Sequence, residues 1–281
     1  MTVGEALAWA RAELAEVGDS PRLDAEVLLG HVLEATRAQL YSRPERALDA
    51  AQLARFRADV ARRRDGYPVA YIVGRQEFWS LTLDVTPDTL IPRADTELLV
   101  EQALARLPSG PARALDLGTG SGAIALALAT ERPQLRVIAV DVSPAALAVA
   151  QRNRDRHGLR QVEMRLGDWF EPVAGERFDL IAANPPYIGP DEPEPREGSC
   201  RFEPMSALVA DEQGLAALRR IIEAAPAHLL PGGHLLLEHG WQQGAAVREL
   251  MRARGFADVT TYRDLQGHER TSAGQWRDSD G

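Results

Sequence analysis

A four-residue motif, Asn184-Pro-Pro-Tyr187, combines groups that could hold a planar NH2 group. The side-chain oxygen of Asn184 and the carbonyl oxygen of Pro185 can each accept one of its hydrogens, and Tyr187 can stack on its flat face. Pro185 and Pro186 fix φ and remove two backbone donors, which leaves a stiff array of acceptors. Two acceptors that favour a pyramidal nitrogen would activate an amide, which is otherwise a poor nucleophile. The alternative interpretation is a rigid turn, since Asn-Pro commonly starts one.

A glycine-rich loop, Gly118-Thr-Gly-Ser-Gly122, follows a predicted strand and opens an alanine-rich helix. Its three glycines allow a sharp turn and a close approach of the backbone to a ligand. Asp141 ends the next predicted strand, where a carboxylate can accept hydrogen bonds from both ribose hydroxyls of an adenosine. Loop and acid together predict a nucleoside cofactor.

Asp116 helps to distinguish between two nucleoside cofactors, NAD and S-adenosylmethionine. With Ala123 the loop satisfies the dinucleotide pattern G-x-G-x-x-A, so the loop alone is compatible with NAD and with S-adenosylmethionine. A tight strand-to-helix turn without a ligand is a third interpretation. Asp116 stands just before the first glycine, where it can reach the amine of a methionine moiety directly or through water and would repel a pyrophosphate. It therefore favours S-adenosylmethionine.

Strands and helices alternate around both motifs. Apolar runs predict strands at 112–117, 135–140, 162–166, 178–183, 234–238 and 258–262. The pattern predicts an α/β fold, a mostly parallel sheet with helices on both faces, preceded by an N-terminal helical bundle. Ligands of such a sheet bind beyond the carboxyl ends of its strands, so the two motifs should share one crevice.

The first 66 residues are predicted to form a separate helical domain that binds the protein substrate. Gly18 is expected to end its first helix, Ser20 to cap the second, and Asp49 to cap a long helix that runs through Arg64.

Residues 67–91 are interpreted as a β-hairpin connector, because 69–73 and 78–85 are rich in β-formers around Gly74. Residues 92–281 are then predicted to form the α/β domain. The stretch 189–204, rich in proline, glycine and charge, is predicted to be a long loop.

Several further segments are shared with a known family, and the resemblance extends over nearly the whole chain. They are Ser20-Pro-Arg-Leu-Asp-Ala25, Pro68-Val-Ala-Tyr-Ile72, Leu90-Ile-Pro-Arg-Ala-Asp-Thr-Glu97, Asn184-Pro-Pro-Tyr-Ile188, Phe202-Glu-Pro204, Asp211-Glu-Gln-Gly-Leu215 and Asp264…Gly267…Arg270. With these segments the chain resembles the HemK-type N5-glutamine methyltransferases, which modify the Gly-Gly-Gln glutamine of release factors.

The resemblance implies a Rossmann-like seven-stranded class I methyltransferase domain at residues 92–281, and it implies a set of binding residues. It places the substrate glutamine against Asn184, Pro185, Pro186 and Tyr187, with Asn184, Pro185 and Tyr187 as the catalytic residues. The S-adenosylmethionine contacts that it implies, together with the acid inferred above, are Arg93, Glu97, Asp116, Gly118, Thr119, Gly120, Ser121, Gly122, Asp141, Asp168, Trp169 and Asn184.

Other acceptors stay open. A glutamine methyltransferase of a ribosomal protein would share every catalytic residue, and adenine-N6 methyltransferases share the Asn-Pro-Pro-Tyr motif. A non-catalytic binding module is the alternative from another class. The expected partners are class 1 peptide chain release factors.

Net charge and composition limit the partners, the cellular location and the kinds of site that we expect. The net charge of −9 argues against a stable grip on nucleic acid phosphates. No apolar run is long enough to predict a membrane span, and the single cysteine, Cys200, fits a reducing cytoplasm. The six histidines lack metal-like spacing, so we expect no metal site.

Overall fold

The computed structural model describes residues 1–18 and 20–277 and divides into two compact units. The first comprises Met1–Arg75 with Gly198–Phe202, and the second comprises Gln76–Glu197 with Glu203–Gly281.

The first unit is helical. Its described helices are α1 (Val3–Glu13), α2 (Pro21–Leu33), α3 (Arg37–Ser42), α4 (Ala50–Arg64) and α5 (Val69–Val73). Apolar side chains from these helices form one core around the fully buried Phe56, with Leu14, Leu28 and Leu29 beside it. The Asp49 carboxylate caps α4 by accepting from the Gln52 amide at 2.8 Å, as predicted.

Two local predictions in this unit are wrong, and the predicted cap at Ser20 is confirmed in position only. Val69–Val73 is a helix rather than a strand, bounded by Pro68 and by Gly74 at φ 73°. Ser20 occupies the N-cap of α2, but its side chain makes no capping hydrogen bond. The first helix ends at Glu13, before Gly18, because the chain turns beyond Leu14.

The second unit is built on a sheet. Its described strands and helices are β1 (Arg75–Phe78), β2 (Leu81–Asp84), α6 (Asp95–Leu104), β3 (Ala112–Leu117), α7 (Ala123–Glu131), β4 (Leu135–Asp141), α8 (Pro144–His157), β5 (Val162–Leu166), β6 (Phe178–Ala183), α9 (Ala216–Ala224), β7 (Leu229–Glu238), α10 (Gly244–Arg254), β8 (Ala257–Arg263) and β9 (Glu269–Gln275). Strands β1 and β2 pair as a hairpin, although it turns at Trp79 and Ser80 rather than at Gly74.

The sheet order is β5-β4-β3-β6-β7-β9-β8 across the described residues. The first five strands run parallel, and β9 is antiparallel to both β7 and β8. One apolar core packs α6, α7 and the hairpin on one face, and a second packs α9 and α10 on the other. The predicted Rossmann-like fold with helices on both faces is therefore confirmed, while β9 was not predicted as a strand.

The predicted long loop contains short 3₁₀ turns at Glu194–Arg196 and Cys200–Phe202. Within the helical unit, the Phe202 ring packs edge-on against Tyr67 with centroids 5.0 Å apart. No helix formed by the described residues is long and apolar enough to cross a membrane.

Candidate functional site

The parallel register aligns four sequence features along one edge of the sheet. Leu117 pairs with Val140 and with Ala183, and Ala183 pairs in turn with Leu237. The residues that directly follow these paired positions are Gly118, Asp141, Asn184 and Glu238. They therefore stand side by side at the carboxyl edge, which is where a doubly wound sheet binds its ligands.

The glycine loop is held by the Asp141 carboxylate. Its Oδ2 accepts from the Gly120 amide at 2.8 Å and its Oδ1 accepts from the Ser143 amide at 2.9 Å. Burial raises the pKa of Asp141, and these backbone donors oppose the rise. Gly120 has φ 57°, and no described atom lies within 4 Å of the position where a Cβ would sit. The loop thus presents open backbone on its ligand side.

Asp116 lies under the loop. Its Oδ2 accepts from the Thr119 hydroxyl at 2.6 Å and from the Ala125 amide at 3.2 Å. Burial raises the pKa of Asp116 to about 7. Its Oδ1 is buried and receives no hydrogen bond from any described residue, so one oxygen is left for a further donor.

A cavity of about 260 Å³ opens above the loop and the neighbouring strand ends. Its walls combine glycine backbone, three carboxylates, one indole and the start of the proline turn. The predicted residues that line it are Gly118, Gly120, Asp141, Asp168, Trp169, Asn184 and Pro186. The predicted residues that do not line it are Arg93, Glu97, Asp116, Thr119, Ser121, Gly122, Pro185 and Tyr187.

Trp169 and Asp168 line the cavity beside the loop. Trp169 adopts φ 49°, and its ring lies 3.6 Å from where a Cβ on Gly118 would be. Asp168 pairs with Arg220 at 2.7 Å. The indole face can flank a flat heterocycle at this position.

The Asn184–Tyr187 turn is fixed at both ends. Asn184 donates from Nδ2 to the Thr96 hydroxyl at 3.1 Å, and the Tyr187 hydroxyl donates to Glu238 at 3.3 Å. Gln243 donates from Nε2 to the Tyr187 carbonyl at 2.9 Å. Among the described residues none donates to Asn184 Oδ1, which leaves this oxygen available as an acceptor.

Arg93 and Glu97 brace the site from outside the cavity. Arg93 pairs with Glu203, and Glu203 also accepts from the Ile91 amide at 3.0 Å. Glu97 accepts from the Trp79 amide at 2.8 Å. Glu203 directly precedes Pro204, which lines the cavity. The ion pair between Arg93 and Glu203 therefore shapes the cavity rim.

Sequence reasoning missed several residues of the site. Glu238 ends the apolar run of β7 just as Asp141 ends that of β4, so the same sequence pattern could have identified Glu238 as a site residue. Asp88–Leu90 and Ser206 also line the cavity, but nothing in their residue types marks them. Thr96, buried on the first turn of α6, gave no signal either.

The described residues contain no group of three or more His, Cys, Asp or Glu side chains that could hold a metal ion. His239, for example, is buried and bonds to Ser272 at 2.9 Å, which gives it a structural role.

Comparison with known proteins gives two family matches. Residues 5–74 match the PrmC N-terminal domain, and residues 109–272 match a methyltransferase domain. Among solved structures, a 16S rRNA N2 G1207 methyltransferase from T. thermophilus, in complex with AdoMet and guanosine, is similar at 20% identity with a TM-score of 0.54. That likeness covers 72% of this chain and 50% of the other, and it concerns the fold alone.

Curated relatives match over nearly the full length. The release factor glutamine methyltransferase of Pseudomonas aeruginosa is 56% identical over 93% of this chain and 95% of its own. The protein of the same name from Escherichia coli K12 is 49% identical over 95% and 98%. These matches confirm the resemblance drawn from the sequence motifs, and the chain is a methyltransferase that belongs to the family of release factor glutamine methyltransferases.

Proposed function

We propose that the protein transfers the methyl group of S-adenosylmethionine to the side-chain nitrogen, N5, of the glutamine in the Gly-Gly-Gln motif of class 1 release factors. The observation that carries the proposal is the position of Asn184, which lines the cavity and follows β6 directly beside Gly118 and Glu238. A cofactor in the cavity and an amide on the proline turn would therefore meet at one side chain. This reaction would take place in the cytoplasm, where release factors act.

The cavity residues fit S-adenosylmethionine. Asp141 can accept from ribose hydroxyls, Trp169 can flank the adenine, and the open backbone at Gly120 admits close approach. The buried, unpartnered Oδ1 of Asp116 is suited to a cationic donor reached directly or through water. When bound, the cofactor supplies an electrophilic methyl group on a sulfonium.

The chain's own residues would orient the acceptor. Asn184 Oδ1 and the Pro185 carbonyl accept the two amide hydrogens, which favours a pyramidal nitrogen whose lone pair points at the methyl carbon. The nitrogen gains the methyl carbon and loses one proton to water, while the electron pair of the broken bond stays with the donor's sulfur. Alignment then contributes most of the rate enhancement.

Tyr187 would provide the flat wall against the amide. Burial, with the Glu238 charge beside it, raises the pKa of Tyr187 above its usual value, so the phenol stays neutral. Its hydroxyl is tied to Glu238, which fixes the ring plane.

We assign recognition of the release factor to the helical unit. Leu23 is 43% exposed and Tyr41 is 49% exposed, so both offer apolar surface to a partner. Substitution of both with serine should raise the KM for a full-length release factor and leave cofactor affinity unchanged.

The direct test uses methyl-labelled S-adenosylmethionine with three acceptors: a release factor, its Gly-Gly-Gln glutamine-to-alanine variant, and adenine-containing DNA. We expect label on the intact release factor alone. Asn184→Ala should abolish that transfer while only weakening cofactor binding, because it removes one acceptor of the substrate amide. Label on DNA, or equal label on both release factors, would overturn the proposal.

A further inference from the structure

The side chain of Gln243 joins three loops beside the Asn184–Tyr187 turn (the acceptor turn). Its Nε2 donates to the Tyr187 carbonyl at 2.9 Å and to the Gln213 carbonyl at 3.1 Å. Its Oε1 accepts from the Gly240 amide at 2.9 Å. The residue lies at the N-terminus of α10, and its own backbone amide donates to the Gly240 carbonyl at 2.9 Å. One half-buried side chain therefore ties the acceptor turn to two other loops.

The three partners of Gln243 fit a primary amide in one orientation only. Two carbonyl oxygens need donors and one N–H needs an acceptor, which is what the NH2 group and the oxygen of glutamine supply. The flipped amide would turn its oxygen toward two carbonyls and its NH2 group toward a donor. A glutamate has the same shape, but its carboxylate would face both carbonyls without a proton to donate. The site is therefore built for glutamine.

The glycines around Gln243 allow this close approach. A Cβ on Gly240 would lie 3.1 Å from Gln243 Oε1, and one on Gly214 would lie 2.8 Å from Nε2. Gly214 has φ 82°, and the two residues before it, Glu212 and Gln213, have φ 55° and 56°. Consecutive left-handed residues persist only where their surroundings hold them. Gln243 supplies part of that hold through the Gln213 carbonyl.

The acceptor turn depends on such contacts because its two prolines have no N–H to donate. Its last carbonyl, on Tyr187, accepts from Gln243. The next residue, Ile188, donates to the Leu208 carbonyl at 3.0 Å and accepts from the Ala210 amide at 2.9 Å. Gln243 lies outside the lining of the cofactor cavity. It can therefore fix the turn without touching the cofactor.

We propose that Gln243 is a positioning residue for methyl transfer. By holding the Tyr187 carbonyl and the segment 212–214 in one arrangement, it keeps the oxygens of Asn184 and Pro185 aligned with the cavity. It acts through the turn and not on the reacting atoms. The inference rests on the proposed function, because the alignment matters for catalysis only if the turn holds the acceptor amide.

The test compares Gln243→Met and Gln243→Glu with the same two changes at Gln242, which is exposed. Gln243→Met removes all three side-chain hydrogen bonds and should lower kcat by about tenfold. Gln243→Glu sets a carboxylate against two carbonyls, so the turn should shift and kcat should fall by about 100-fold. The KM for S-adenosylmethionine should stay near the wild-type value in all four variants, and both Gln242 variants should keep the wild-type kcat.

The order of the two Gln243 variants separates positioning from packing. If the side chain only filled space, Gln243→Glu would be close to the wild type, because it nearly preserves the shape and volume. A Gln243→Glu enzyme as active as the wild type would therefore overturn the proposal. So would a Gln243→Met enzyme whose KM for S-adenosylmethionine rises while its kcat is unchanged. Rates are measured below the Tm of every variant, so that a lower rate does not reflect unfolding.

Backbone hydrogen exchange reports on the turn without turnover. In Gln243→Met the Gly240 amide loses its acceptor and should lose protection. The Ile188 amide should also exchange about tenfold faster, although its own partner, Leu208, is unchanged. Gln242→Met should leave both amides as protected as in the wild type.

Unchanged exchange at Ile188 in Gln243→Met would overturn the proposal, because the turn would then be held without Gln243. If the wild-type protein fails to methylate a release factor while exchange at Ile188 rises as expected, the proposed acceptor is wrong and the hold of Gln243 on the turn stands.

Discussion

Alanine in place of Gly214 should remove most of the methyl-transfer rate while leaving cofactor affinity nearly unchanged. Gly214 has φ +82°, and a Cβ placed there would lie 2.0 Å from the carbonyl oxygen of Tyr187. The same Cβ would lie 2.6 Å from the Tyr187 carbonyl carbon and 2.8 Å from Gln243 Nε2. Since the closest atom is backbone, the acceptor turn itself must move.

The size of the effect follows from that geometry. Ordinary carbon–oxygen contact requires a separation of more than about 3 Å, so the turn must shift by roughly 1 Å. A misplacement of about 1 Å at a reacting group costs on the order of 100-fold in rate. The positive φ adds about 1–2 kcal/mol of strain to the folded state, which is a separate effect on stability.

A matched control separates strain from displacement. Gly175 has φ +77°, and no described atom lies within 4 Å of its Cβ position, so Gly175→Ala carries similar strain without a clash. We expect both variants to lose stability in urea titration, Gly214→Ala by more because it carries the clash as well as the strain, and only Gly214→Ala to lose about 100-fold in kcat. Rates for Gly214→Ala within threefold of Gly175→Ala would refute the reasoning.

Two further substitutions test the cofactor wall and the buried acid. Asp141→Ala should weaken binding of S-adenosylhomocysteine by about 10- to 100-fold in calorimetry, because it removes the loop-holding and ribose-accepting carboxylate; unchanged affinity would contradict that role. Burial raises the pKa of Glu238 to about 7, above its value of 4.5 when exposed, so the folded state binds this proton more tightly than the unfolded state. Wild-type stability should therefore fall as pH rises from about 4.5 to 7, by about 1.4 kcal/mol per unit from this group. Glu238→Gln cannot ionise and should show a shallower decline between pH 5 and 7 in urea titrations; a constant stability difference from the wild type would refute the assignment.

The sheet and the core of the site could be predicted because a glycine or a polar residue marks where the apolar run of each of these strands stops. The apolar runs of β3, β4 and β6 stop at Gly118, Asp141 and Asn184, and a parallel sheet brings such ends together. Strand β9 was missed because Glu269–Gln275 contains few β-formers, and its pairing with β7 and β8 supplies what its composition lacks.

Tertiary packing overrode local propensity at Val69–Val73. The segment is rich in β-formers, yet it forms a short helix that buries Ala70, Tyr71 and Ile72 between Pro68 and a left-handed Gly74. Thr96 and Gly214 could not be assigned to the site from the sequence. Their roles come from a contact with Asn184 and from close approach to Tyr187, each across many residues of chain.

The most direct test of the account is mass spectrometric localisation of the methyl group on a release factor after incubation with the protein and S-adenosylmethionine. The account predicts one methyl group on the side-chain nitrogen of the Gly-Gly-Gln glutamine, and none when Asn184→Ala replaces the wild-type enzyme. A methyl group on any other residue, or an Asn184→Ala enzyme that labels the glutamine at the wild-type rate, would contradict it.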